Sequence, residues 1–207
     1  MAASDQQRVT LVREAFWLEW LTVGWMQVEA TAGVASGIAA HSITLVAFGL
    51  DSLIELVSAG VLIWRLSIEL KFGCEFSERA EAVARQIAGG LLFALATYVV
   101  AAAGWSFWRS KGEAFSWPGL IVALLAIPIM LVLARRKLVL ADRLGSRALR
   151  ADAAESIACL WLSSVVVIGL FAQLALGAWW IDALTSLAIV WFLVKEGREA
   201  WQTDDDD

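Results

Sequence analysis

The sequence predicts an all-α membrane protein with six transmembrane helices, and its composition and hydropathy pattern carry this prediction. Of its 207 residues, 60% are hydrophobic and only 18% are charged, whereas a soluble domain carries about 25% charged residues. The apolar residues form long continuous runs, which favour helices over the short alternating segments of a β-barrel. The net charge of −5 includes the four aspartates of the C-terminal tail. The remaining charges form no basic patch, so we expect no nucleic-acid partner.

Each predicted span approaches the roughly 20 apolar residues that cross a bilayer. The predicted spans are 16–38, 41–64, 82–105, 117–133, 153–174 and 179–194. Because the N-terminus is polar and the first apolar stretch already contains Glu14 and Glu19, it does not resemble a secretory signal peptide. We predict a single six-helix domain over 1–203, followed by an acidic tail over 204–207.

Lysine and arginine residues predict the orientation of the helices. Fourteen of the 16 lie in the N-terminal arm, the second and fourth connections and the C-terminus, and only Arg109 and Lys111 lie on the opposite side. The excess of basic residues marks the cytoplasmic side, so we expect a cell-membrane protein with both termini in the cytoplasm. Nine of the 12 tryptophans lie near span ends, where indole rings prefer the membrane interface. Trp25, Trp161 and Trp191 lie deeper and are predicted to be packing residues.

Several carboxylates lie inside the predicted spans, where each requires a physical explanation. Asp51 and Glu55 lie in the second span and Glu155 lies in the fifth. An ionisable side chain at the bilayer centre costs about 2.5–3.5 kcal/mol. The same spans offer no lysine or arginine at a matching depth. A bound cation or bound protons therefore explain these acids better than ion pairs do.

The spacing of these residues predicts a metal site between two helices. Asp51 and Glu55 are four residues apart and share one helix face, and Glu155 and Cys159 repeat this spacing on the fifth span. Two faces with two donors each can surround a four-coordinate ion, and zinc accepts both carboxylate and thiolate ligands. The alternative is that the acids face a water-filled cavity, or stay protonated and hydrogen-bonded.

The ordered combination of these motifs resembles the cation diffusion facilitator family, six-span antiporters of divalent metals and protons. The family has an acid or histidine four residues before an acid in span two, and an Ala-Asp pair followed by His-x-x-x-Asp in span five. An aspartate in span six completes the pattern, and the resemblance extends over about residues 13–200. The matching residues are Asp51 and Glu55, then Ala151, Asp152, Glu155 and Cys159, and finally Asp182.

Three residues depart from the family pattern. Glu55 replaces the usual aspartate, Glu155 the usual histidine and Cys159 the usual second aspartate. The site then consists of three carboxylates and one thiol. The thiol favours zinc or cadmium, whereas the carboxylates also suit iron, cobalt or manganese. Most family members continue with a cytoplasmic metal-sensing domain, and we expect a compact member without it because the chain ends soon after Lys195.

The resemblance implies a transporter rather than an enzyme. It predicts efflux of a divalent metal, most simply zinc, by alternating access in exchange for protons, within a lipid-embedded homodimer. The four implied metal ligands are Asp51, Glu55, Glu155 and Cys159, with the metal as cargo and no prosthetic group. Three alternatives remain: a metal-binding membrane subunit that modulates a partner without transporting, an organic-cation exporter, and an intramembrane metalloenzyme. The last lacks any HExxH-like signature.

Other polar or small residues have more than one interpretation. Glu29 either faces the transport pathway or is a protonated packing residue, and His41 either serves metal exit or pH sensing or is solvated at a helix end. Asp152 either belongs to the metal motif or orients the helix start near Arg150. Asp182 is a candidate anchor between helices. Two glycine pairs offer close-packing surfaces for a dimer, Gly33 with Gly37 and Gly89 with Gly90.

Overall fold

The computed structural model of the chain describes residues 2–72, 78–109, 114–178 and 180–202. These residues form six helices. The helices are α1 (Ala2–Ala40), α2 (Ile43–Phe72), α3 (Glu78–Arg109), α4 (Trp117–Leu144), α5 (Arg147–Leu176) and α6 (Ile181–Gln202). Each helix overlaps one predicted span, and the described residues confirm the all-α fold class. The predicted acidic tail at 204–207 lies outside the described residues.

Four helices in the described part of the chain are long and apolar enough to cross a membrane. The four segments are Ile43–Ile68, Gly89–Trp108, Trp117–Leu144 and Asp152–Leu176. They belong to α2, α3, α4 and α5. Helix α1 interrupts its apolar residues with Glu14, Glu19 and Glu29, and α6 carries several charged residues from Lys195 onward. The helical bundle is therefore that of a membrane-embedded protein, with its most apolar helices in the middle of the chain.

The fourth helix extends well beyond its predicted span. Helix α4 begins with Ser116 as its N-cap and continues to Leu144, where Gly145 adopts a left-handed conformation with a φ of 64°. Glycine takes this conformation without steric cost, and it ends many helices in this way. The fourth connection is thus reduced to two residues. Lys137, which was predicted to lie in a connection, is instead a helical residue, because arginine and lysine continue a helix readily.

The helices associate mainly in pairs: α1 with α2, α4 with α5 and α3 with α6. A Cβ atom added to Gly33 would lie 2.9 Å from the Cα of Gly49, and one added to Gly37 would lie 2.6 Å from the backbone nitrogen of Val46. Gly33 and Gly37 thus allow α1 and α2 to approach closely within one chain. The close-packing surface that they form therefore faces α2 of the same chain. Helix α2 also contacts α5.

Large apolar side chains cover the outside of the bundle, as expected for helices surrounded by lipid. Trp161 is 65% exposed and Trp191 is 71% exposed, so the prediction that they are internal packing residues was wrong. Depth along a span does not determine which side of the helix faces the neighbouring helices. Trp25 is half-buried and faces the interior of the bundle, where it donates a hydrogen bond to Glu29.

Candidate metal site

The four predicted metal ligands lie on the two contacting helices α2 and α5. Asp51 is buried and Cys159 is fully buried, whereas Glu55 and Glu155 are half-buried. Glu55 lies within electrostatic range of Asp51 and Glu155. Cys159 lies within the same range of Asp51 and Glu55. Two turns of α2 and two turns of α5 therefore form one acidic region in the bundle.

The same two helices are also joined by a side-chain hydrogen bond. The Ser58 hydroxyl of α2 donates to Glu155 Oε1 of α5 at 3.1 Å. Within the described ranges, no three Asp, Glu, Cys or His side chains enclose a point where a metal ion would fit. The predicted ligands are therefore neighbours in this conformation, and they do not form a closed coordination sphere.

Helix α1 contributes a fourth carboxyl group to this region, that of the fully buried Glu29. Its Oε2 accepts a hydrogen bond from Trp25 Nε1 at 2.6 Å. Its Oε1 accepts hydrogen bonds from the Ser52 hydroxyl at 2.9 Å and from the Cys159 thiol at 3.1 Å. We call Glu29, Asp51, Glu55, Glu155 and Cys159 the acid cluster. The sequence pattern left the role of Glu29 open, because Ser52 and Cys159 are distant from Glu29 in the chain and belong to other helices.

The thiol of Cys159 also contacts an apolar neighbourhood. Cys159 packs in one buried group with Met26 of α1 and with Met130 and Leu133 of α4. Both methionines are almost completely buried. Cys159 therefore lies at the boundary between carboxylates and apolar side chains, where α1, α4 and α5 meet.

A second set of buried charges joins α1, α4 and α5, and we call it the lysine cluster. Lys137 Nζ lies 3.3 Å from Glu19 Oε2 and forms an ion pair with Asp152 Oδ2. Glu19 and Lys137 are fully buried and Asp152 is nearly so. The second oxygen of Glu19, Oε1, is buried without a hydrogen-bond partner among the described residues. Three helices are therefore held together by one ammonium group.

The lysine cluster was not expected from the sequence. Asp152 lies near the start of α5, where its ion pair is with Lys137 of α4, whereas the nearby Arg150 pairs with Asp142 on the exposed surface. The sequence shows Lys137 near the end of the fourth apolar stretch and Glu19 in the first one. Neither reveals that the two side chains meet across helices.

Asp182 anchors α6 to the start of α2, as one interpretation of the sequence predicted. Its carboxylate accepts hydrogen bonds from the backbone nitrogens of Ile43 and Thr44, at 2.8 and 3.3 Å, and from the Ser42 hydroxyl. The first N–H groups of a helix have no partner within the helix, so this carboxylate satisfies them. His41 lies beside this cap with an exposed side chain and a φ of 56°.

The family model described as the cation efflux transmembrane domain matches residues 25–202. The match includes the complete acid cluster and Asp182, whereas Glu19 of the lysine cluster precedes it. A comparison with curated proteins finds no match.

Proposed function

This chain belongs to the cation efflux family of membrane transporters, and we propose that it exports a divalent transition-metal ion from the cytoplasm in exchange for protons. Cation transport is the activity of the family. The choice of a divalent metal, with zinc first and cadmium, iron, cobalt or manganese as further candidates, rests on the donor atoms. Carboxylate oxygens and a thiolate together suit zinc, which binds both.

We assign the cation to Asp51, Glu55, Glu155 and Cys159. The observation that supports this proposal is that three carboxylates and a thiol lie on the contacting helices α2 and α5, with Glu55 within electrostatic range of the other three groups. Like charges collected in a low-dielectric region repel one another strongly. A divalent cation removes this repulsion when it binds, and protons remove it when the cation leaves.

Transport then follows from competition between the metal and protons. With the site open to the cytoplasm, the metal binds deprotonated ligands and its binding releases protons. After the helices rock towards the outside, protons from that side compete for the same oxygen and sulfur atoms and displace the metal. The protonated site is neutral, so its return does not carry the large cost of bare charges in the membrane. The same side chains thus carry metal outward and protons inward.

The orientation of the bundle is proposed from its charges. Arg135, Arg136, Arg143 and Arg150 lie where α4 ends and α5 begins, and an excess of such residues is typical of the cytoplasmic side. We therefore propose that both termini lie in the cytoplasm and that the chain belongs to the cell membrane. The family resemblance supports a homodimer, and the exposed tryptophans of the outer surface offer area for a second copy or for lipid.

Metal binding by purified protein tests the ligand assignment. We expect Glu155→Ala and Cys159→Ala each to lower the affinity for zinc at least tenfold, while the matched control Asp142→Ala, which removes an exposed carboxylate, binds as the wild type does. Affinity should weaken as the pH falls, because protons compete for the ligands. Wild-type binding by both site variants would refute the four-ligand site.

Flux in proteoliposomes tests the transport cycle. Metal uptake into the proteoliposomes should increase when an imposed gradient drives protons out of them, opposite to the direction of metal movement. This uptake should be lost in Cys159→Ala. Flux that ignores the proton gradient would refute proton exchange. If the purified protein binds metal but shows no flux, the alternative function is favoured, that of a metal-binding membrane subunit that modulates a partner.

A further inference from the structure

Glu29 is a buried carboxyl group whose hydrogen-bond donors are all neutral groups. Its side chain is 0% exposed. The donors to it are an indole, a hydroxyl and a thiol, all of them neutral groups. A buried carboxylate without a cation is costly, because hydrogen bonds offset only part of its lost hydration. Packing alone does not explain why α1 carries an acid at this position.

The hydrogen bond between Cys159 and Glu29 brings their side-chain atoms close to the separation of two ligand atoms on one metal ion. Cys159 Sγ and Glu29 Oε1 are 3.1 Å apart. In a tetrahedral zinc site, with a Zn–S bond of about 2.3 Å and a Zn–O bond of about 2.0–2.2 Å, the two ligand atoms are separated by about 3.6 Å. Replacing the thiol proton by a metal ion thus requires the two atoms to separate by only about 0.5 Å. Small side-chain rotations supply such a change.

We infer that Glu29 is a further ligand of the transported cation, which extends the binding site from α2 and α5 to α1. This inference rests on the proposed function and concerns the same site. When the divalent ion binds, the S–H bond of Cys159 breaks and its proton leaves to water. Bonds from the metal to Cys159 Sγ and Glu29 Oε1 form in its place, without any change of oxidation state.

Neighbouring groups of α2 supply the remaining donors. Glu55 lies within electrostatic range of both Glu29 and Asp51, so carboxylates of α2 are near the Glu29–Cys159 pair. Ser52 donates to the same Glu29 oxygen as Cys159 does, which directs that oxygen towards the space between the helices. Glu155 instead accepts a hydrogen bond from Ser58, about two turns further along α2 than Ser52.

Glu29 and Cys159 lie on different helix pairs of the bundle. Helices α1 and α2 pack closely through Gly33 and Gly49, and α5 packs mainly on α4. Glu29 therefore belongs to the same helix pair as Asp51 and Glu55, and Cys159 belongs to the other pair. A cation bound by Glu29 and Cys159 bridges the two pairs.

A gain of thiolate ligation tests this position directly, with cadmium as the probe. The sequence contains two cysteines, Cys74 and Cys159. The full chain is used with Cys74→Ser, so that Cys159 is its single remaining thiol. Glu29→Cys should then bind cadmium with two thiolates, and the thiolate-to-cadmium absorbance per bound ion should rise about twofold. The matched control is Val28→Cys, since Val28 is the next residue of α1 and is exposed. This control should leave the absorbance unchanged, and an unchanged absorbance in Glu29→Cys would overturn the inference.

A second variant decides the matter if Glu29→Cys does not fold. Glu29→Gln keeps the shape of the side chain and removes its charge, so the cadmium affinity should fall at least tenfold, and the cadmium-113 resonance should move because a carboxylate ligand is lost. Ser52→Ala, which removes only a hydrogen bond to the same carboxylate, should weaken binding less. Cadmium affinity within twofold of the wild type in Glu29→Gln, or an unmoved resonance, would overturn the inference.

Cys159→Ser separates this inference from the proposed function. If Cys159→Ser binds cadmium as the wild type does, the four-ligand site of the proposed function fails, and the Glu29 inference fails with it. If Cys159→Ser loses binding while both Glu29 variants behave as the wild type does, only the Glu29 inference fails.

Discussion

The lysine cluster and the acid cluster both bury carboxylates, but they surround them differently. Glu19 and Asp152 share the ammonium group of Lys137. Glu29, ten residues and about 15 Å further along α1, has an indole, a hydroxyl and a thiol as hydrogen-bond donors. A lysine is a cation that cannot leave, because it is covalently attached to α4. The comparison teaches that a permanent cation suits a structural joint, whereas a site that must load and unload needs a cation that can exchange.

The two clusters are also connected. Lys137 lies within electrostatic range of Glu55, so part of the positive potential of the lysine cluster reaches the acid cluster. Asp152 precedes Glu155 by one turn of α5, and both belong to the segment that carries Cys159. The lysine cluster therefore holds in position the helix that supplies two of the predicted metal ligands.

The largest expected effect on stability comes from removing the permanent cation. Lys137→Met leaves Glu19 and Asp152 buried without a counter-charge, so we expect a loss of about 3–5 kcal/mol in the free energy of unfolding. Denaturation of the detergent-solubilised protein measures it. The triple variant that adds Glu19→Gln and Asp152→Asn should recover most of the loss, since no buried charge remains. Wild-type stability of Lys137→Met would show that the lysine cluster is not a structural joint.

Removing a charge from the acid cluster should not destabilise the protein, in contrast to removing Lys137 from the lysine cluster. Glu55→Gln removes one of several like charges, because Asp51, Glu29 and Glu155 lie within electrostatic range of Glu55. We expect a free energy of unfolding equal to or above that of the wild type, together with an affinity for zinc at least tenfold lower. The same denaturation assay and a metal titration measure the two quantities. A marked loss of stability with unchanged zinc affinity would reverse the proposed roles of the two clusters.

A smaller effect is expected at the joint between α2 and α6, which involves hydrogen bonds without a buried cation. Asp182→Ala leaves the backbone N–H groups of Ile43 and Thr44 without their acceptor, which should lower the free energy of unfolding by about 1–3 kcal/mol. Asp182→Asn keeps one acceptor oxygen and should recover part of the loss. Equal stability of the alanine variant and the wild type would show that water replaces this cap.

The smallest effect is expected for the exposed ion pair near the lysine cluster. Arg150 and Asp142 are each 63% exposed, and exposed ion pairs contribute less than about 1 kcal/mol. Arg150→Ala should therefore change the free energy of unfolding by less than about 1 kcal/mol, in the same assay as Lys137→Met. A loss comparable with that of Lys137→Met would mean that burial does not distinguish the two bases.

Much of the fold was predictable because the length of an apolar run depends on the sequence alone. The six predicted spans each correspond to one helix, and the four-residue spacing placed Asp51 with Glu55 on α2 and Glu155 with Cys159 on α5. The position of a helix end was less predictable. Helix α4 passes through three consecutive basic residues before Gly145 ends it, since charge does not stop a helix where a bilayer ends.

The amino-acid sequence is sufficient to identify a helical membrane protein with acids inside its helices, because burying backbone in lipid permits few other structures. The neighbours of those acids depend on how the helices pack. The tertiary structure pairs Lys137 with Glu19 and Asp152, joins Glu29 to Cys159, and turns Trp161 and Trp191 outward. Each of these outcomes depends on the rotation of a helix about its axis. That rotation is determined by packing between helices distant in the chain, such as α1 and α5, and not by the composition of any one of them.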